Sequence, residues 1–94
     1  MENKIEKLKK YFEKREDVAM AFLFGSRVKG YARRVSDWDV AVYLNKEDRA
    51  LEQDICGEIE RIVNTEVDLV VLNRAPAALL WNILRSGAHL VVKN

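Results

Sequence analysis

The sequence has little of what several classes of protein require. Its single cysteine, Cys56, cannot form an internal disulfide, and such a chain suits a reducing cytoplasm. No stretch approaches the ~20 consecutive apolar residues that cross a bilayer, and the charged N-terminal segment lacks the apolar core of a signal peptide. The net charge is only +1, so no overall field attracts a polyanion, and we do not expect direct nucleic-acid binding.

Ninety-four residues leave no room for two hydrophobic cores, so we predict a single domain over residues 1–94. Apolar spacing predicts helices and strands that alternate along it. The predicted helices cover residues 2–15, 26–31, 46–63 after an N-cap at Asn45, and the stretch from Pro76 to Gly87. The predicted strands cover residues 18–24, 37–44, 67–72 and 90–92. This order indicates an α/β (α+β) fold, a mixed β-sheet of about four strands with helices packed on it.

The last predicted helix carries an apolar stripe that we expect to face the sheet. The stripe consists of Leu79, Leu80, Ile83 and Leu84, and Trp81 lies next to it. We expect packing to bury Trp81. If the indole is exposed instead, it would suit the anchor of a partner-binding surface.

A pair of acidic residues lies at the start of the second predicted strand. Asp37 and Asp39 are two positions apart, so both carboxylates point to the same face of the sheet. Two like charges side by side on a sheet repel each other. Such a pair is stable if water reaches it, if one carboxylate takes a proton, or if a cation lies between them. The pair alone is weak support for a functional site.

A third carboxylate, Asp68, is the only polar residue in the strand over 67–72, which we expect to be covered on both faces. A lone ionised carboxylate in such a strand is costly unless it is paired or bound to a metal. If the second and third strands are neighbours, Asp68 lies beside Asp37 and Asp39. Three carboxylates without a nearby histidine or cysteine suit Mg²⁺ or Mn²⁺ rather than zinc. The alternative is that Asp68 pairs with a basic residue or caps a turn at the strand's entrance.

The first predicted strand ends at Gly25 and Ser26, and a helix start is predicted directly after them. Glycine permits close backbone approach, the serine hydroxyl can donate to a phosphate oxygen, and a helix N-terminus favours anions. Arg27 follows at once and is a candidate for nucleotide contact. Alone, Gly25 and Ser26 would be a plain turn. Together with the acidic triad they indicate metal-assisted attack on a nucleotide phosphate.

This pattern resembles the nucleotidyltransferase superfamily related to DNA polymerase beta. The matching positions are Gly25, Ser26, Gly30, the run from Ser36 to Asp39, and Asp68. The short length narrows the resemblance to the minimal nucleotidyltransferase (MNT) domain, which is often encoded beside a HEPN-domain protein. The resemblance implies an antitoxin that neutralises its RNase partner by transferring AMP from ATP to a partner tyrosine.

The resemblance also implies a role for each matching residue. Asp37 and Asp39 would hold two Mg²⁺ (or Mn²⁺) ions, and Asp68 would complete the second metal site and help to deprotonate the acceptor. Gly25 and Ser26 would hold the triphosphate of ATP.

Two other functions stay open at the level of sequence. The chain could be a non-catalytic binding module that neutralises a partner nuclease by contact alone. It could also be a nucleotidyltransferase that acts on a small molecule or on RNA, although no acceptor pocket is visible in so short a chain. In the larger relatives of the superfamily a helical domain helps to grip the substrates, so here we expect a partner, or a second copy of the chain, to complete the site.

Overall fold

The chain forms a four-stranded mixed β-sheet with helices on both faces. The computed structural model describes residues 3–24 and 38–93. In these residues the elements are α1 (Lys4–Lys14), β1 (Val18–Phe24), β2 (Trp38–Leu44), α2 (Arg49–Val63), β3 (Val67–Val71), a 3-10 turn (Leu72–Arg74), α3 (Ala77–Ser86) and β4 (Ala88–Val92). The strand order is β3-β2-β1-β4. The predicted fold class is therefore confirmed, whereas the helix predicted over 26–31 lies outside the described residues.

The sheet contains both antiparallel and parallel strand pairs. β1 pairs antiparallel with β2 and with β4, while β2 pairs parallel with β3. A parallel pair needs a long crossover, and α2 supplies it. Within the described part of the chain, no helix combines the length and apolar character that crossing a membrane requires.

Each face of the sheet has its own apolar cluster. Strand residues alternate between the faces. The larger cluster joins one face to α1 and α2, and its members include Leu8, Phe12, Val40, Val42, Ile55 and Ile59. The smaller cluster joins the other face to α3 and consists of Phe22, Ala41, Leu72 and Ile83. We call the second face the α3 face.

The predicted N-cap of α2 is wrong. Asp48 caps the helix: its carboxylate accepts hydrogen bonds from the backbone N–H groups of Ala50 at 2.9 Å and Leu51 at 3.3 Å. The Asn45 side chain donates instead to the carbonyl oxygen of Glu16 at 2.8 Å. Asn45 is therefore bonded to a residue much earlier in the sequence, and Asp48, the next suitable side chain, caps the helix.

Two expectations about burial are also wrong. β3 is an edge strand of the sheet, so Asp68 and its next two residues stay partly exposed rather than covered on both faces. Trp81 is 61% exposed, and Leu84 is 38% exposed. α3 contacts the sheet through the side that carries Ile83, and Trp81 lies roughly 200° around the helix from that residue.

A polar cluster ties the turn between α1 and β1 to α2. The Arg15 guanidinium donates to both carboxylate oxygens of Asp17, at 3.1 and 2.9 Å, and to Glu58 at 3.2 Å. Glu58 also accepts a hydrogen bond from the Tyr11 hydroxyl. Lys93 Nζ donates to the carbonyl oxygen of Arg15 at 2.6 Å, so the strand end at β4 is joined to the same turn.

Candidate active site

The parallel ladder between β2 and β3 places two carboxylates side by side. Asp39 and Asp68 are register partners on adjacent strands, which lie about 4.8 Å apart in a β-sheet. Ala41, two residues after Asp39, and Val70, two residues after Asp68, both pack in the cluster under α3. Both carboxylates therefore lie on the α3 face. The condition set by the sequence, that these two strands be neighbours, is met.

Burial makes this pair unusual. Among the residues that the structure describes, Asp39 is the only charged residue that is buried, with 6% of its surface exposed. Asp68 is partly exposed. Burying a carboxylate is costly, and a second carboxylate directly beside it adds repulsion. A buried charged side chain is uncommon in a folded protein, so a buried carboxylate directly beside a second one is a candidate functional site.

Three strand ends meet at this edge of the sheet. Asp39 is the second residue of β2 and Asp68 the second residue of β3, and Phe24, the last residue of β1, is the register partner of Asp39. The segment over 25–37 therefore begins directly after a residue that pairs with Asp39. That segment carries the other predicted site residues, Gly25, Ser26, Arg27 and Asp37. They lie outside the described residues, so their roles stay predictions.

The donor atoms fit a hard divalent cation. Carboxylate oxygens are the protein ligands that Mg²⁺ and Mn²⁺ prefer, and one or two of them suffice when substrate phosphates supply the rest. No cluster of three or more histidine, cysteine or acidic side chains that could hold a metal occurs in residues 3–24 and 38–93. The third predicted ligand, Asp37, precedes Trp38 directly and is not among them.

The nearby thiol does not join this chemistry. Cys56 lies on α2, and its Sγ is 3.8 Å from the carbonyl oxygen of Val67. Burial raises the pKa of the Cys56 thiol above its ordinary value, and the neighbouring Glu60 carboxylate raises it further. A thiol with a raised pKa stays protonated and is neither a good metal ligand nor a nucleophile. Cys56 is a half-buried side chain with a free thiol.

A residue that we did not predict helps to set the β2–β3 register. The ladder pairs Val42 with Val71, so its continuation would place Leu44 beside Asn73. At that point the backbone turns into the 3-10 helix. The side chain of Asn73 then makes the hydrogen bonds that a strand backbone would have made. Its Oδ1 accepts from the Leu44 N–H at 2.9 Å, and its Nδ2 donates to the Leu44 carbonyl at 2.8 Å. The only sequence signal is an asparagine two residues after an apolar strand, which is too common to be specific.

The family comparison points to one enzyme superfamily. The family model described as "Polymerase beta, Nucleotidyltransferase" matches residues 6–94. A comparison with curated protein sequences finds no significant match.

Solved structures with similar folds come from toxin–antitoxin complexes. A chain of a toxin–antitoxin structure with AMP-PNP is 28% identical, with a TM-score of 0.68 over 98% of this chain and 73% of that one. A chain of an MntA–HepT structure is 25% identical, with a TM-score of 0.65 over 97% and 69%. A chain of the tri-AMPylated Shewanella oneidensis HEPN toxin in complex with MNT antitoxin is 23% identical, with a TM-score of 0.72 over 96% and 71%. The last of these shows a shared fold.

Proposed function

Since the chain belongs to the polymerase beta nucleotidyltransferase family, we propose that it transfers AMP from ATP to a tyrosine hydroxyl of a HEPN-type RNase and thereby acts as its antitoxin. The observation that carries the proposal is the placement of Asp39 beside Asp68 at the edge where β1 ends. The similar structures support it, since one contains AMP-PNP and another pairs an AMPylated HEPN toxin with its MNT antitoxin. The proposal places the chain in the cytoplasm, with ATP as substrate.

Each proposed site residue has a task in binding. Gly25, Ser26 and Arg27 hold the triphosphate of ATP next to the end of β1. Asp37 and Asp39 hold two Mg²⁺ (or Mn²⁺) ions, and Asp68 completes the second metal site. When bound, the divalent ions supply positive charge that neutralises the phosphates and favours the ionised form of the acceptor hydroxyl.

The chemical step is a displacement at the α-phosphorus of ATP. The tyrosine oxygen forms a new bond to that phosphorus, the bond to the bridging oxygen of the β-phosphate breaks, and pyrophosphate leaves with the electron pair. The proton of the hydroxyl passes to Asp68. Asp68 suits this task because it is partly exposed, whereas Asp39 is buried. The protein contributes mainly positioning and charge, as is usual in phosphoryl transfer.

A second candidate function has a structural observation of its own. The exposed indole of Trp81 on α3 could anchor a protein that is neutralised by contact alone. In that case the carboxylates would be irrelevant to neutralisation.

The test is transfer of label from ATP radiolabelled at the α-phosphate, with Mg²⁺, to the purified product of the adjacent gene, which the proposal expects to be a HEPN-type RNase. We expect Asp39→Asn and Asp68→Asn each to slow transfer roughly 100-fold, since a lost transition-state contact of ~3 kcal/mol has that effect. Asp54→Asn, an exposed aspartate on α2, is the matched control and should leave the rate unchanged.

Either of two results would reject catalysis by these residues. The double variant Asp39→Asn with Asp68→Asn could transfer AMP at the rate of the unchanged chain. Alternatively, it could still silence the RNase with no label on the partner, which would favour neutralisation by contact.

A further inference from the structure

α3 carries large apolar side chains on both of its sides. Its inner side contributes Ile83, Leu79 and Leu80 to the cluster on the sheet. Its outer side carries the exposed residues Ala77, Ala78, Trp81, Asn82, Leu84, Arg85 and Ser86, which we call the α3 outer face, and Trp81 and Leu84 are its large apolar members. A surface helix normally turns polar residues to water, so an exposed indole with an exposed leucine on the same side is unusual. The exposed Trp81 and Leu84 therefore suit contact with another molecule.

Trp81 and Arg85 are arranged as a binding anchor. The Arg85 guanidinium lies 5.8 Å from the centre of the Trp81 ring, one helical turn away. This cation–π contact restrains both side chains before any partner arrives, which lowers the entropy that binding costs. Tryptophan and arginine are also the residue types that contribute most often to binding hot spots.

The charge on this surface indicates what kind of molecule covers it. No acidic residue occurs from Leu69 to Lys93. Of the basic residues there, Arg74 pairs with Glu47 and Glu52, and Lys93 bonds to the Arg15 carbonyl. Among the described residues, no carboxylate lies within salt-bridge distance of Arg85. A partner that covers the face would satisfy Arg85 by bringing an acidic side chain.

Other occupants fit this surface less well. In a two-fold contact between copies of this chain, each outer face would meet an identical face without any carboxylate for Arg85. Nucleic acid is bound through many phosphate contacts from basic residues, whereas Arg85 is the one basic residue of the outer face. A protein surface with an apolar centre and an acidic neighbour matches the residues that are present.

The outer face also has a suitable position relative to the candidate site. α3 lies over the face of the sheet that carries Asp39 and Asp68. It ends at Ser86, and Ala88, which begins β4, is the register partner of Leu23, one residue before Phe24. The end of α3 that carries Arg85 thus reaches the sheet edge at which Phe24 pairs with Asp39. A protein seated on α3 would lie next to that edge.

We propose that the α3 outer face docks an apolar, acid-flanked surface of the HEPN-type partner, and that this docking brings the acceptor tyrosine to the carboxylate edge. The identity of the partner rests on the proposed function. The residues that carry the docking are Trp81, Leu84 and Arg85.

The test is a calorimetric titration of this chain with the purified product of the adjacent gene, which the proposed function expects to be a HEPN-type RNase. We expect Trp81→Ser and Arg85→Glu each to weaken binding about tenfold or more, as hot-spot substitutions do. Ile5→Ser alters an exposed apolar residue on α1, at the opposite face of the sheet, and should bind within about twofold of the unchanged chain. Because Trp81 is exposed, its substitution should leave the thermal midpoint unchanged, which checks that the variant is folded.

The outcomes separate docking from catalysis. Asp39→Asn should bind the partner normally, so that loss of transfer in this variant does not affect the docking test. Docking is overturned if Trp81→Ser binds as well as Ile5→Ser, even when transfer occurs. It is also overturned if sedimentation shows a dimer of this chain alone that Trp81→Ser dissociates. If the unchanged chain binds through Trp81 but transfers no AMP, the proposed function fails and the docking surface stands.

Discussion

Replacing Asn73 tests how the structure maintains the register that aligns Asp39 with Asp68. Asn73 makes two hydrogen bonds to the backbone of Leu44, which is completely buried. Each bond contributes about 1 kcal/mol, and a buried backbone group left without a partner costs about 1–3 kcal/mol. Asn73 itself is only half-buried, so water can replace part of the loss. We therefore expect Asn73→Ala to lower the free energy of unfolding by about 2 kcal/mol.

Urea unfolding followed by circular dichroism measures this loss. The slope of the unfolding free energy against urea should not change, because the substitution alters little of the surface that unfolding exposes. In a domain of this size, 2 kcal/mol corresponds to a fall of roughly 8–16 °C in the thermal midpoint. Asn82→Ala, an exposed asparagine on α3, is the matched control and should stay within about 0.5 kcal/mol of the unchanged chain.

A second substitution separates the two hydrogen bonds. Asn73→Asp keeps an acceptor for the Leu44 N–H but loses the donor to the Leu44 carbonyl at neutral pH. It should be destabilised at pH 7 and recover part of the loss below about pH 4, where the carboxyl regains a proton to donate. The reasoning is refuted if Asn73→Ala and Asn82→Ala have the same unfolding free energy.

Three other contacts give predictions of the same kind. Asp48→Ala removes the N-cap of α2 and should cost about 1 kcal/mol in urea unfolding. Tyr11→Phe removes the hydrogen bond to the Glu58 carboxylate and should cost about 1–2 kcal/mol by the same measurement. The Arg15 guanidinium holds the pKa of Asp17 below its usual range, so this carboxylate stabilises the fold at neutral pH and stops doing so as the pH falls below about 4. Asp17→Asn should therefore flatten the decline of the thermal midpoint between about pH 5 and pH 3.

Each of these predictions has its own control. Lys46→Ala, a change at an exposed neighbour, should cost less than Asp48→Ala, and equal costs would reject Asp48 as the helix cap. Tyr43→Phe removes a hydroxyl from an exposed tyrosine and should have no measurable effect; a loss as large as that in Tyr11→Phe would contradict the role given to Glu58. For Asp17, the control is Glu16→Gln, an exposed neighbour. Identical pH profiles for the Asp17→Asn and unchanged chains would reject the contribution of the Arg15 pair.

The elements of the fold follow from the sequence because their signals are local. The apolar run over 18–24 predicts a strand covered on both faces, and β1 contributes to both clusters. The spacing of Ile55 and Ile59 predicts the buried side of α2 in the same way. Strand order is not local, so the sequence places Asp68 beside Asp39 only on the condition that their strands pair.

The errors arise where a distant contact or a packing boundary decides the outcome. Asn45 and Asp48 are equally suitable caps, and only the carbonyl of Glu16, which binds Asn45, distinguishes them. Trp81 lies beside an apolar stripe, and only the position of α3 on the sheet leaves it exposed. β3 has the composition of a covered strand, yet it forms an edge of the sheet. These features depend on the assembled sheet, which no local pattern describes.

The central claim is that Asp39 and Asp68 together bind a divalent metal ion. The most direct test is Mn²⁺ binding measured by electron paramagnetic resonance in the presence of an ATP analogue with a methylene group between the α- and β-phosphates. Loss of a residue that only hydrogen-bonds to a metal ligand weakens metal binding about 10–100-fold, so Asp39→Asn and Asp68→Asn should each weaken it about tenfold or more, while Asp54→Asn should not. Equal Mn²⁺ affinity in all three variants and the unchanged chain would contradict the claim.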